Sequence, residues 1–347
     1  MQFIDTAPLF QFPLRIALRW QQLVLHFRTP ATTSRGALSQ RCTFIIEAAC
    51  ANGTGYGECC VMPGLLPELT EQQLQYWCEQ VERQQSLRCL SKAPSPIRFG
   101  LETAVIAALN GGLSRWNTPF SRGEEGIPIH GLIWMADVDT MLRKMHDAIR
   151  QGFTCLKMKV GAHPFEQELQ MLNEARRAFP GAEIRVDANG AFNAENALAK
   201  LEALANSGIS CIEQPIPPQQ WQHMAELCRQ SPLPIALDEE LIHTHNAEKL
   251  LDTLQPQAIV IKPSLHGGLL AAETWAKAAA ERHIAWWVNS ALESRIGLTA
   301  LAEWCGYAAP RTLQGLGTGK LFYDDMPAAV QLAGAELRFQ LNHVSGA

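Results

Sequence analysis

Lys157 and Lys159 lie two residues apart in TCLKMKVG (154–161) and fall on one face of a strand, because side chains alternate along extended backbone. Their neighbours Cys155, Leu156, Met158 and Val160 are apolar, so a solvated surface strand explains the pair poorly and negative charge is expected opposite it. Three acids can supply that charge. Asp187, Glu213 and Asp238 each close a short apolar run, in RVDANG, CIEQP and IALDEE, and Lys262 closes another, IVIKPS. Three carboxylates at one depth repel unless they are protonated or neutralised. A hard divalent cation resolves the conflict, and all-oxygen ligation suits Mg²⁺, with waters or substrate completing the octahedron. A metal beside a lysine points to proton abstraction next to a carboxylate. The ion offsets the growing negative charge and the amine takes the proton, its pKa lowered by a neighbouring cation such as Lys157.

Such chemistry needs a scaffold that brings strand ends together. From Ile127 onward eight strand-like runs recur: IPIHGLIWM, TCLKMKV, EIRVDANG, SCIEQP, PIALDEE, AIVIKPS, IAWWVNSALES and TLQGLGTG. Their spacing of roughly 23 to 29 residues suits a strand, a helix and two short loops. The segments between them read as helices, for example HPFEQELQMLNEARRAF, with Phe165, Leu169, Leu172 and Ala175 on one face, and the alanine-rich GGLLAAETWAKAAAERH. The alternation predicts an α/β fold, a parallel (β/α)₈ barrel over residues 125–320 with its reactive groups at the C-terminal strand ends. An open doubly wound sheet is disfavoured, since no GxGxxG follows the first strand. In an eight-strand ring the second and sixth strands stand opposite each other. Lys159 and Lys262 would then flank a substrate held over strands three to five.

Residues 1–124 read differently. RCTFIIEAACANGTGYGEC suggests two strands joined at ANGTG, and EQQLQYWCEQVERQQSLRCL and IRFGLETAVIAALNGGL suggest amphipathic helices. The expectation is an N-terminal α+β capping domain, with residues 321–347 packing back on it.

A chain of 347 residues, 47% hydrophobic and 18% charged, is expected to fold as a globular protein. A formal net charge of −5 leaves no basic footprint for nucleic acid, and no apolar run reaches membrane-spanning length. The N-terminal residues lack the apolar centre of a signal peptide. Ten cysteines without a CxxC pair, several inside strand-like runs, point to reduced thiols and a cytoplasmic setting, with adjacent Cys59 and Cys60 read as packing rather than redox groups.

The ordered set KMKVG, RVDANGAF, IEQPI, ALDEEL, IVIKPSLHGG, WWVNSALESRIGLTALAEW and QGLGTG resembles the enolase superfamily, and within it the o-succinylbenzoate synthases of menaquinone biosynthesis. GYGECCVMPG and RFGLETA resemble that family's capping domain. The resemblance implies Mg²⁺, with Mn²⁺ as a substitute, on Asp187, Glu213 and Asp238. It implies Lys159 as the acid/base, Lys157 beside it, and Lys262 opposite as an ammonium against the substrate ring. The implied substrate is a small carboxylate, 2-succinyl-6-hydroxy-2,4-cyclohexadiene-1-carboxylate, dehydrated to 2-succinylbenzoate. Asn189 and Glu239 are expected to support the metal ligands, and Ser290 and the backbone near Gly317 to meet the succinyl arm. Arg35, in TTSRGALSQ, is expected to close over that arm.

Other readings use the same residues. A dipeptide epimerase or an N-acylamino acid racemase would employ the two lysines as opposed bases, although GLGTGKLF stands where dipeptide epimerases generally carry Asp-x-Asp. A non-catalytic binding barrel would be expected to have lost an acid or a lysine, and none is lost. Glu58 in GYGEC supports the site or bonds within its own turn. His243 and His245 have ligand spacing but are read as the start of a helix. Nothing in the sequence sets an oligomeric state.

Overall fold

The structure is a computed structural model that describes residues 3–33, 36–112, 114–134, 136–244, 246–323 and 329–340. After a short helix α1 (Ala7–Phe10), the N-terminal cap is an antiparallel sheet in the order β1 (Ala17–Thr33), β2 (Gly36–Cys50), β3 (Gly53–Cys60). Helices α2 (Glu71–Gln84) and α3 (Ser95–Leu109) follow. The β2–β3 hairpin turns where ANGTG predicted it, with Cys50 paired to Gly53. Strand β1 was not among the expected elements. Its period-two signal, buried Leu25 and Phe27 against exposed Val24, His26 and Arg28, loses phase at the doubly exposed Gln21–Gln22. Helix α2 begins in a reciprocal cap: Gln73 N donates to Thr70 Oγ1 at 3.2 Å, and Thr70 N donates to Gln73 Oε1 at 3.0 Å. Helix α3 is buried along nearly its whole length, and the glycines of GTGYG explain how. A Cβ on Gly55 would stand 2.3 Å from Ala104 O, and one on Gly57 2.0 Å from Gly100 O, so only a strand face without side chains lets α3 lie so close.

The remainder alternates strand and helix: β4 (Ile127–Pro128), β5 (Gly131–Ile133), α4 (Val138–Arg150), β6 (Cys155–Lys159), α5 (Phe165–Ala178), β7 (Glu183–Asp187), α6 (Ala194–Asn206), β8 (Cys211–Glu213) and α7 (Trp221–Gln230). It continues with β9 (Ile235–Leu237), α8 (Ala247–Leu254), β10 (Ala258–Ile261), α9 (Gly268–Glu281), β11 (Ala285–Val288) and α10 (Arg295–Ala308), and ends with β12 (Val330–Ala333) and β13 (Glu336–Phe339). Strands β5 to β11 form one parallel sheet in sequential order. Residues such as Ile184, Val186, Ile212, Leu237, Ile259 and Ile261 are buried, as strands covered on both faces require.

The ring closes through very little backbone. Gln314 bridges Ile129 and Gly315 bridges Asn289, both in parallel. The run expected as an eighth strand therefore contributes two paired residues; its glycines make a poor strand interior. The run expected as the first strand is divided. Ile127–Pro128 pairs antiparallel with β13, and Gly131–Ile133 pairs parallel with β6. The C-terminal residues also divide, since Phe322 bridges Phe27 of the cap whereas β12 and β13 form a sheet with β4.

Candidate active site

Strand register places the reactive groups. Lys159 lies opposite Asp187 and Asp187 opposite Glu213, while Glu213 pairs with Ala236, two residues before Asp238. The carboxylates thus stand side by side at the C-terminal ends of β7, β8 and β9, all three buried. Lys157 Nζ lies 2.5 Å from Glu213 Oε2 and 2.8 Å from Asp187 Oδ2. Lys159 Nζ lies 2.6 Å from both Asp187 Oδ2 and Asn189 Oδ1. Lys262 Nζ donates to Asp238 Oδ2 from the strand on the far side of Asp238. Asn189 spans the group: its backbone N–H donates to Asp187 Oδ1 at 3.0 Å and its Nδ2 to Glu239 Oε1 at 2.9 Å.

The electrostatics follow from burial set against pairing. Burial opposes the charged form of Lys157, yet Asp187 and then Glu213 outweigh it and hold the amine well above its ordinary pKa. Lys262 is raised in the same way, with Asp238 the leading partner. Burial would raise Asp187, but Lys157 and Lys159 pull it far below the usual carboxylate range. Asp238 is lowered against burial by Lys262. Glu213 goes the other way: burial and then the charge of Asp187 push it up. Glu239 is raised by burial and then by Asp238.

Among the described residues no group of three or more His, Cys, Asp or Glu side chains stands ready-made around an ion. The carboxylate oxygens engage the lysines instead. The donor set nonetheless fits a hard cation. It consists of carboxylate oxygens alone, their mutual repulsion is registered at Glu213, and Asp238 Oδ1 is buried without a hydrogen-bond partner.

The groups face a cleft of about 320 Å³ roofed by cap residues Leu38 and Met62–Leu65 and walled by Leu132, Trp134 and Leu292. Lys157, Lys159, Lys262, Asn189, Glu239, Ser290 and Gly317 all line it. Ser290 is already engaged: its Oγ donates to Glu293 Oε2 at 2.5 Å and accepts from Leu292 N at 3.0 Å. Arg35 lies outside the described residues, as does His245, and His243 is exposed in a short turn (Glu239–His243). Glu58 does not bond within its turn. It is fully buried and accepts from Arg41 and Thr43 of the cap, and from Ser294 N, Ser294 Oγ and Gly297 N at the start of α10. His130 and Asn289 also line the cleft; both fall inside strand-like runs, IPIHGLIWM and IAWWVNSALES, but neither is assigned a role by the sequence. A single histidine or asparagine in an apolar run reads as an ordinary core residue.

Residues 140–339 match the family model described as enolase C-terminal domain-like. The chain belongs to the enolase superfamily. Members of the enolase superfamily use Mg²⁺, in keeping with the donor set. The chain is 36% identical to the o-succinylbenzoate synthase of Desulfotalea psychrophila (strain LSv54), over 92% of this chain and 98% of that one. A crystal structure of MenC from Desulfotalea psychrophila LSv54 superposes with a TM-score of 0.79 at 32% identity, covering 93% of this chain and 99% of that one. A substrate-liganded L-Ala-D/L-Glu epimerase from Bacillus subtilis shares the superfamily fold, with a TM-score of 0.82 at 17% identity over 94% of this chain and 96% of that one. Among the described residues no helix is long and apolar enough to cross a membrane.

Proposed function

We propose that the protein is an o-succinylbenzoate synthase, a lyase that removes water from 2-succinyl-6-hydroxy-2,4-cyclohexadiene-1-carboxylate to give 2-succinylbenzoate. The observation that carries this reading is a near full-length relative of that activity, at 36% identity, combined with three buried carboxylates and two lysines around one cleft. Asp187, Glu213 and Asp238 are the residues that would hold Mg²⁺, with Mn²⁺ able to replace it. When bound, the cation supplies positive charge against the negative charge that grows on the substrate carboxylate as the adjacent C–H bond breaks.

Lys159 takes that proton as its amine. The C–H electron pair forms the new ring double bond as the C–O bond breaks. Lys159, now an ammonium, returns the proton to the departing hydroxyl on the same face, so that one water leaves and no net proton is consumed. Lys262 stays charged and lies against the ring, where an ammonium favours the aromatic product. Lys157 offsets part of the repulsion between Asp187 and Glu213. Asn189 and Glu239 brace the ligands, and the apolar roof from the cap keeps water from the reacting carbon. Ser290 and the backbone at Gly317 form the wall met by the succinyl arm, and Arg35 is assigned to the same arm.

A second reading, 1,1-proton transfer on an N-acylamino acid or dipeptide, is favoured by two lysines facing one cleft and by the fold shared with the epimerase. One assay separates the two. Purified protein with Mg²⁺ and the cyclohexadiene should show the ultraviolet change of aromatisation. Absence of that change, with racemisation of an N-acylamino acid, would replace the first reading by the second.

A further inference from the structure

The seam where the barrel closes places an amide directly behind one of the three carboxylates. Asn289 follows β11, is buried, and is fixed by its backbone N–H donating to Ile261 O at 3.0 Å. Its Nδ2 faces both oxygens of Glu213, at 3.4 Å from Oε1 and 3.3 Å from Oε2. A carboxylate that binds a cation is ionised and can only accept, so in that state the amide must present its nitrogen to Glu213 and turn its oxygen away. That oxygen, Asn289 Oδ1, is buried beside the His130 imidazole and points to the place where residue 315 has no side chain. A Cβ on Gly315 would stand 1.8 Å from Asn289 Oδ1 and 2.7 Å from His130 Nε2. The neighbouring backbone cannot give way easily, since Gly315 N donates to Val288 O at 2.7 Å and Ser290 N donates to Gly315 O at 3.0 Å.

We propose that Asn289 is a positioning residue that aims Glu213 at the cation, and that Gly315 is glycine so that the Asn289 amide can keep this orientation. The inference rests on the reading of Glu213 as a metal ligand. Asn289 sets the carboxylate's angle from the closure side while Lys157 approaches it from β6. Gly315 acts on the metal site through Asn289. The glycine-rich closing run therefore has a task of its own, besides completing the ring.

The test is Mg²⁺ titration by calorimetry on metal-stripped protein, with thermal melts in the absence of metal. Asn289→Ala and Asn289→Leu, the second keeping the volume and removing the donor, should each weaken Mg²⁺ binding by about 10- to 100-fold while the metal-free melting temperature changes little. Gly315→Ala should produce a similar loss alone and add little in the Asn289→Ala background, because both changes remove one contact. Glu213→Gln is the control. If it weakens Mg²⁺ binding while both Asn289 variants bind as tightly as wild type, the inference is overturned and the metal site stands. If Glu213→Gln also binds as wild type, the ligand assignment falls and the inference with it. Losses that add fully in the double variant would overturn the role given to Gly315.

Discussion

Lys159 and Lys262 approach the acids from opposite flanks, one bonded to Asp187 and Asn189, the other to Asp238. In the proposed dehydration the two do different work. Lys159→Ala should lose at least the ~10²–10⁴-fold typical of general acid–base catalysis, whereas Lys262→Arg, which keeps the charge, should retain more activity than Lys262→Ala. Exchange in deuterated solvent decides between dehydration and racemisation. In a racemase each lysine variant loses exchange with one enantiomer only, and undiminished dehydration by Lys159→Ala would remove the lysine from the mechanism. The ligands form a second prediction: Asp187→Asn, Glu213→Gln and Asp238→Asn should each weaken Mg²⁺ binding and turnover together. Full activity in excess chelator would contradict this assignment. These residues were legible in the sequence because each charge ends an apolar run, where a barrel exposes its strand tips. The role of Asn289 within WWVNSALES, and the choice for Glu58 between the site and its own turn, were not, because their partners lie 76 and 236 residues away.

At the scale of elements, the loop that carries the chain away from Lys159 is tied to the helix after it. Glu168, buried on α5, accepts from Gly161 N at 2.7 Å and from Ala162 N and His163 N at 3.0 Å each. A carboxylate taking three N–H groups is a strong local anchor, although these donors sit where water can replace it. Glu168→Ala should therefore cost about 1–2 kcal/mol, read as a lower denaturant midpoint with an unchanged slope. An unchanged midpoint would show that the loop holds without it. The helices and the middle strands of the barrel were legible from period and spacing, and the closing run was not. Its neighbours on both sides supply the pairing, so two residues suffice where an isolated segment would need a full strand. β1 escaped for the opposite reason, since its alternation is broken by one pair of glutamines although its pairing to β2 is not.

For the molecule as a whole, cap and barrel are joined by carboxylates of the cap directed at helix starts in the barrel. Glu58 meets the start of α10, and Glu102 of α3 accepts from Leu270 N in the first turn of α9 at 3.1 Å. The two acids differ in support, for Glu58 has Arg41 at 2.8 Å whereas Arg98 stands 3.7 Å from Glu102. Burial outweighs Arg98 and the backbone donors at Glu102, and its carboxyl is raised to about 7. The sign of the consequence follows from proton counting. Between the unfolded glutamate value of roughly 4.3 and about 7, the folded protein keeps a proton that the unfolded chain has lost. This acid therefore makes stability fall as pH rises through that interval and level off above it. Glu102→Gln should remove the effect, so its stability relative to wild type should grow from pH 5 to pH 8 by on the order of 3 kcal/mol. Denaturant melts of the two proteins at each pH give that difference directly, because the other titrating groups cancel. A difference that stays flat across the interval would mean that Glu102 ionises in the folded protein as it does in the unfolded chain, and that the α3–α9 contact is no source of pH dependence.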